Sequence, residues 1–134
     1  MRMYLDANFF IIAAFDSTHK GNNARQILSE IKTGKKYALT SILALDEVMY
    51  VLIKMKLKDR IRSNVEDIYR TPNVKIVGGS PLIPIRAMEY IEQYSLKPRD
   101  AFHVSFMEEE FIDVIVSDDA DFDKVKGIKR ISLD

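Results

Sequence analysis

The sequence of 134 residues contains no cysteine, which excludes disulfide bonds, thiolate metal sites and a cysteine nucleophile. A chain without cysteine suits a reducing compartment, so we expect a cytoplasmic location. Glycine is also scarce, and the pair Gly78-Gly79 has neither the lysine of a P-loop nor the spacing of a dinucleotide-binding turn. The sequence therefore gives no support for a dependence on ATP or NAD.

Long apolar runs and an excess of one charge are missing as well. The longest apolar stretch near the N-terminus, residues 9–15, is too short to cross a bilayer, and Asp6 precedes it. We therefore expect neither a membrane span nor a signal peptide. The 20 basic and 20 acidic residues balance to a net charge of zero. This balance excludes a globally basic nucleic-acid binder, but it allows a local basic surface beside a local acidic site.

The sequence does contain a regular alternation of short apolar segments with amphipathic ones. Apolar residues make up 47% of the chain, so a single domain over residues 1–134 can bury a core. Strands that are apolar throughout are typical of a parallel sheet covered on both faces. We predict an α/β fold with a short, mainly parallel central sheet of four to five strands. The expected strands are residues 3–5, 37–40, 74–77, 114–116 and 128–133.

Acidic residues directly follow two of these strands. Asp6 follows the first strand, and Asp118, Asp119 and Asp121 follow the fourth. Because the carboxyl ends of parallel strands lie at one edge of a sheet, the two groups should meet where such sheets bind ligands. The alternative is local, since aspartate favours turns and caps. The occurrence of both groups after apolar strands favours a functional site.

Two further acidic residues leave two interpretations open. Asp100 lies at the predicted start of a helix, where aspartate is a leading N-cap residue, so it is either a cap or a site residue. Glu47 lies in the most apolar helix, with Leu43 and Tyr50 on the same face. It belongs either to a narrow exposed stripe that continues at Lys54 or to a buried pair with an unknown partner.

A cluster of these carboxylates would need compensating positive charge. Neighbouring carboxylates about 5 Å apart repel by roughly 3 kcal/mol per pair at an effective dielectric constant of about 20. Ligation by oxygen, without cysteine and with only His19 and His103 far apart in sequence, favours Mg²⁺ or Mn²⁺ over zinc. The natural chemistry of such a site is metal-assisted hydrolysis of a phosphodiester. A pair of histidines acting as acid and base is not supported.

Four motifs occur in a fixed order along the chain. They are Tyr-Leu-Asp6-Ala-Asn8 after the first strand, Thr40-Ser41 followed by Glu47 in a helix, Arg99-Asp100-Ala-Phe-His at a helix start, and Ser117-Asp-Asp119-Ala-Asp121-Phe122 near the C-terminus. Together they resemble the PIN-domain ribonucleases over essentially the whole chain. The length and the ending Lys-Val-Lys-Gly-Ile-Lys-Arg-Ile are similar to the VapC-type toxins of prokaryotic toxin–antitoxin pairs. The resemblance implies a three-layer α/β/α PIN-like fold.

The resemblance also implies roles for individual residues. Ser117 stands where the family often has threonine, which preserves the hydroxyl, and Asp118 is an extra acid. We prefer Asp119 to Asp118 as the ligand, because Asp119 keeps the family spacing to Phe122. The implied metal-binding and catalytic acids are Asp6, Glu47, Asp100, Asp119 and, at an often acidic fifth position, Asp121, with Asn8 and Ser117 as supporting residues.

The implied activity is cleavage of RNA through a metal-activated water, with Mg²⁺ or Mn²⁺ as cofactor. A VapB-like antitoxin and a second copy of the chain are the implied protein partners. From their positions near the acidic residues, Arg99, Lys124 and Lys126 are candidates for contact with RNA phosphates. Two alternatives remain open: a PIN-fold module that binds or assembles without cutting, and a metal-dependent phosphohydrolase with another substrate.

Overall fold

A sheet of five parallel strands forms the centre of the protein. In the computed structural model, which describes residues 1–134, the strand order across the sheet is β3-β2-β1-β4-β5. Every neighbouring pair is parallel. The expected strand positions are confirmed, although the last strand is shorter than expected. The strands are β1 (Arg2–Leu5), β2 (Tyr37–Ser41), β3 (Val74–Val77), β4 (Val114–Val116) and β5 (Lys129–Ile131).

Helices connect the strands and cover both faces of the sheet. Two 3₁₀ helices, Lys58–Arg60 and Ala120–Lys124, supplement the α-helices. No helix combines the length and apolar character that crossing a membrane would require. The α-helices are α1 (Ala7–Phe15), α2 (His19–Lys32), α3 (Ile42–Lys54), α4 (Ile61–Arg70), α5 (Ile83–Tyr94) and α6 (Pro98–Glu109).

Successive residues of the central strand face two separate hydrophobic cores, as the alternation of side chains along a strand requires. Met3 and Leu5 pack in the core that contains residues of α1 to α4. Tyr4, between them, packs in the core that contains residues of α5 and α6. Both faces of β1 are thus fully buried, which explains its uninterrupted apolar sequence. The expected three-layer α/β/α architecture is confirmed.

The topology brings the ends of β1 and β4 together. These strands are neighbours, with Tyr4 opposite Ile115 and Leu5 opposite Val116. Asp6 is the residue that follows β1, and Ser117 is the residue that follows β4. This adjacency places the acidic residues that follow β4 beside the residue that follows β1, as the sequence predicted.

One helix begins earlier than expected, and this changes the interpretation of Asp100. Helix α6 starts at Pro98, with Lys97 as its N-cap residue. Proline suits this first position because the N–H that it lacks would have no partner within the helix. Asp100 is consequently the third residue of the helix and not its cap. The capping interpretation of Asp100 is wrong, and its side chain is available for another role.

Candidate metal centre

Three carboxylates converge at the carboxyl edge of the sheet. One oxygen each of Asp100, Asp119 and Asp121 can be chosen so that all three lie within 4.8 Å of one another. Asp100 comes from the first turn of α6, whereas Asp119 and Asp121 come from the segment after β4. All three side chains are partly buried. The fold therefore assembles an acidic trio from two segments that are separate in the sequence.

The three acids of the trio are close enough to affect one another's ionisation. The pKa of Asp100 is raised to about 6. Partial burial is the largest cause, and the nearby carboxylates of Asp119 and Asp121 act in the same direction. Each additional carboxylate makes ionisation of its neighbour less favourable. A cation placed among the three oxygens would reverse this penalty.

Asp6 lies at the same edge and has two interactions of its own. Its Oδ1 accepts a hydrogen bond of 3.0 Å from the backbone N–H of Phe9, so Asp6 is the N-cap of α1. Burial raises the pKa of Asp6, and the charge of Glu47 acts in the same direction. The hydroxyl of Ser117 and the N–H of Phe9 oppose this by donating hydrogen bonds. Asp6 is thus a buried cap whose carboxylate also faces the other acids.

Ser117 connects Asp6 to the acidic trio. Besides its interaction with Asp6, its Oγ accepts a hydrogen bond of 3.0 Å from the backbone N–H of Asp119. The next turn is fixed by Asp119 itself, whose Oδ1 accepts from the N–H of Asp121 at 2.9 Å. Ser117 is fully buried, so water does not compete for these bonds. The structure thus places Ser117 between Asp6 and the segment that carries Asp119.

Asp118 points away from the trio and ties down the C-terminus. Its Oδ2 lies 2.7 Å from Lys20 Nζ, and its Oδ1 accepts from the N–H of Leu133 at 2.9 Å. Although burial acts to raise it, the pKa of Asp118 is lowered, because Lys20 and Leu133 donate hydrogen bonds to the carboxylate. Of the two adjacent acids, Asp119 is therefore the one whose carboxylate joins the trio.

This division between the adjacent acids predicts different outcomes for matched substitutions. We expect Asp118→Asn to lower the free energy of unfolding by about 1 kcal/mol, through loss of a partly buried ion pair, without changing metal affinity. Lys20→Met should have a similar effect, and the double variant should lose less than the sum, because both remove one interaction. Denaturant unfolding measures these values. A strong loss of Mn²⁺ affinity in Asp118→Asn would contradict the assignment.

Glu47 is the acid for which the structure resolves the two interpretations. It forms a buried pair: its Oε1 lies 2.5 Å from Nε2 of His103, and the two side chains are 18% and 3% exposed. The exposed-stripe interpretation is therefore wrong. Its charge also influences Asp6, which shows that Glu47 faces the same edge. Glu47 and Asp6 lie beside the acidic trio, outside its 4.8 Å group.

His103 is the residue at this edge that sequence reasoning missed. The signal was present, because His103 lies three residues after Asp100 and so shares its helix face. The sequence gave no reason to pair it with Glu47, which lies 56 residues away in another helix. Its ring lies close enough to Asp6 and Asp100 to act on the pKa of both, lowering each.

The donor set fits a hard divalent cation. The converging atoms are carboxylate oxygens from Asp100, Asp119 and Asp121, and no thiolate exists in the chain. Oxygen ligands of this kind suit Mg²⁺ or Mn²⁺, whereas zinc favours nitrogen and sulfur.

The remaining predicted residues lie around the site with fewer contacts. Asn8 is exposed in the first turn of α1, two residues beyond Asp6. Arg99 is exposed next to Asp100, and Lys126 is exposed after the second 3₁₀ helix. Lys124 lies with its Nζ 3.4 Å from Oδ1 of Asp121. Lys124 is thus the basic residue that the structure joins directly to the trio.

The chain belongs to the PIN domain family, which it matches over residues 3–128. This match includes every acidic residue described above, from Asp6 to Asp121. A comparison with curated protein sequences gives no match.

The fold is similar to that of solved structures at low sequence identity. Chains of VapBC2 from Rickettsia felis, bound to a DNA fragment from their promoter, give a TM-score of 0.76 at 18% identity, with 98% of both chains covered. The DNA-bound VapBC of Salmonella typhimurium gives 0.76 at 15% identity, covering 100% of this chain and 99% of that one. VapC20 of Mycobacterium tuberculosis, a Sarcin-Ricin loop cleaving toxin, gives 0.75 at 14% identity, covering 90% and 92%. At these identities the likeness establishes the fold.

Proposed function

We propose that the protein is a metal-dependent endoribonuclease that cleaves RNA phosphodiester bonds at the acidic edge of its sheet. The observation that carries this proposal is the convergence of Asp100, Asp119 and Asp121 within 4.8 Å, beside the buried Asp6. Mg²⁺ or Mn²⁺ bound there would lower the pKa of a water molecule and offset the negative charge of a phosphate. Membership of the PIN domain family supports the same reaction class.

The proposed roles of the side chains follow from their positions. Asp100, Asp119 and Asp121 would hold the cation, with Asp6 and Glu47 completing its acidic surroundings. Ser117 would keep Asp6 and Asp119 in register through its hydroxyl. The exposed basic residues near the edge would contact the RNA backbone, since phosphate contacts contribute most of the affinity for nucleic acids. These basic residues are Arg99, Lys124 and Lys126.

We also propose that the protein is the toxin of a VapBC-type pair, with a VapB-like antitoxin and a second copy of this chain as partners. The similarity of its fold to chains of VapBC complexes supports this. The surface offers suitable apolar area, because Tyr50 and Ile53 of α3 and Ile85 and Met88 of α5 are each more than half exposed. Light scattering of the purified chain, alone and mixed with the product of a neighbouring antitoxin gene, measures both associations.

The function is tested with the purified chain, a structured RNA and Mn²⁺. We expect internal cleavage that leaves 5′-phosphate and 3′-hydroxyl ends, which end-labelling and ligation assays distinguish. A small phosphomonoester serves as the matched control, because it presents a phosphate without an RNA backbone. Turnover of the phosphomonoester without RNA cleavage would favour the phosphohydrolase alternative. Mn²⁺ binding without any hydrolysis across varied RNAs would favour the non-cutting module.

A further inference from the structure

Three buried side chains form a continuous hydrogen-bonded chain that ends on the partly buried Glu47. The hydroxyl oxygen of Tyr4 lies 2.7 Å from Ser41 Oγ and 2.6 Å from Nδ1 of His103. On the other side of the imidazole, Nε2 lies 2.5 Å from Oε1 of Glu47. Tyr4 and Ser41 are fully buried and His103 is 2% exposed. This series of hydrogen bonds therefore runs from the end of β2, across β1, to a carboxylate at the acidic edge.

The hydrogen bonds of this chain all point toward Glu47. An ionised carboxylate can only accept, so Nε2 of His103 carries the proton in that bond. At the far end, Ser41 Oγ already accepts from the backbone N–H of Ala44 at 3.2 Å, so its own O–H is free to donate to Tyr4. The O–H of Tyr4 then donates to Nδ1. Each hydroxyl gives one proton and accepts at least one hydrogen bond, and no buried polar side-chain atom lacks a partner.

This series of hydrogen bonds fixes the otherwise flexible side chain of Glu47. A glutamate side chain has three rotatable bonds, and holding it in one orientation costs conformational entropy. The short bond from His103 occupies one oxygen of Glu47, which leaves the other oxygen to face a cation. Both ring nitrogens of His103 are hydrogen-bonded, Nδ1 to Tyr4 and Nε2 to Glu47. Tyr4 is in turn held between β2 and α6, because it also bonds to Ser41. The tilt of the ring is set by an edge-on contact with Tyr4.

We propose that His103 is a positioning residue that holds the Glu47 carboxylate in its metal-ligating orientation, with Tyr4 and Ser41 fixing the imidazole. This inference builds on the proposed function, because it assumes that Glu47 contributes to a cation site. Hydrogen-bonded partners of metal-ligating side chains orient their ligands, and their loss lowers metal affinity by about 10- to 100-fold. His103 would act on the cation through Glu47 alone.

The test measures Mn²⁺ affinity by titration calorimetry, without RNA. We expect His103→Phe, which keeps an aromatic ring but removes the donor, to weaken binding by about 10- to 100-fold. His103→Gln retains an amide N–H that can reach Glu47, so it should return the affinity to within about 5-fold of the original protein. An affinity in His103→Phe equal to that of the unchanged protein would overturn the proposal.

A second background shows whether His103 acts through Glu47. In Glu47→Gln the affinity should already be low, and adding His103→Phe should change it by less than about 2-fold. An equal further loss in that background would assign His103 to general folding and overturn the proposal.

If His103→Phe does not fold, Tyr4→Phe takes its place in the same cycle, because it removes the donor to Nδ1 while keeping the ring. We then expect a weakening in the original background and none in Glu47→Gln, and any other pattern overturns the proposal.

The same titrations separate this inference from the proposed function. Mn²⁺ binding and RNA cleavage by the unchanged protein, together with unaltered affinity in the His103 variants, would remove the positioning role and leave the nuclease function standing. Absence of Mn²⁺ binding in the unchanged protein would overturn both.

Discussion

RNA cleavage is expected to fall by at least about 1000-fold when EDTA removes divalent cations, and to return when Mn²⁺ or Mg²⁺ is added in excess. A cation bound among the carboxylates would supply several kcal/mol of transition-state stabilisation, and each 1.36 kcal/mol is a factor of ten in rate. The protein has no substitute for it. His19 lies beside Asp134, whereas His103 is buried between Tyr4 and Glu47, so the two histidines cannot act as an acid–base pair.

The same cation should stabilise the folded state, because the unfolded chain does not bring the acids together. At a Mn²⁺ concentration about 100 times the Kd, the free energy of unfolding should increase by about 2.7 kcal/mol. For a chain of this size, the midpoint of thermal unfolding should rise by roughly 10 °C. Asp118→Asn is the matched control, because the Asp118 carboxylate bonds to Lys20 and Leu133 outside the trio. Mn²⁺ should therefore raise the free energy of unfolding of this variant by as much as in the unchanged protein. Cleavage that persists at full rate in EDTA would contradict a metal-dependent mechanism.

Replacement of Asp100 by asparagine is expected to have opposite effects on activity and on stability. Asparagine keeps the size of the side chain but removes a charge that the trio would need in order to hold the proposed cation. We expect RNA cleavage to fall by at least about 100-fold, as losing several kcal/mol of electrostatic stabilisation implies. The structure excludes a capping effect, because Lys97 and not Asp100 is the N-cap of α6.

Stability without metal should change in the other direction. Partial burial first, and then the carboxylates of Asp119 and Asp121, raise the pKa of Asp100, so its ionised form is unfavourable in the folded protein. Removing the charge should therefore leave the free energy of unfolding in EDTA unchanged or raise it by up to about 1 kcal/mol. Measurements of cleavage in Mn²⁺ test the expected loss of activity, and denaturant unfolding in EDTA tests the expected effect on stability. A large loss of stability would indicate a structural role, and full activity would remove Asp100 from the site.

Asp100 and Glu47 each allowed two interpretations from the sequence, and the structure decided both. Asp100 looked like a helix cap because aspartate is common at that position, but Pro98 starts the helix two residues earlier. Glu47 allowed either an exposed stripe or a buried pair, and the pair is present because His103 reaches it from a different helix. The helix start follows from a local rule, because proline favours the first helical position, whereas the partner of Glu47 is set by tertiary packing.

The sequence by itself determined the α/β class, the five strand positions and the meeting of Asp6 with the acids after β4. These follow from apolar periodicity and from the rule that parallel strands end at one edge, and both depend only on chain order. The resemblance to the PIN-domain family also suggested Asp119 over Asp118, through the family's spacing to Phe122. The tertiary structure supplied the physical reason, because the Asp118 carboxylate is taken by Lys20 and Leu133.

Only the tertiary structure decided how the acids are held. The relay from Ser41 through Tyr4 and His103 to Glu47 joins residues up to 99 positions apart, which no local pattern encodes. The 4.8 Å convergence of the trio likewise depends on how α6 packs against the sheet. Hydrogen bonds and packing over such separations form only when the whole chain has folded, so their partners are set by three-dimensional geometry and not by sequence spacing.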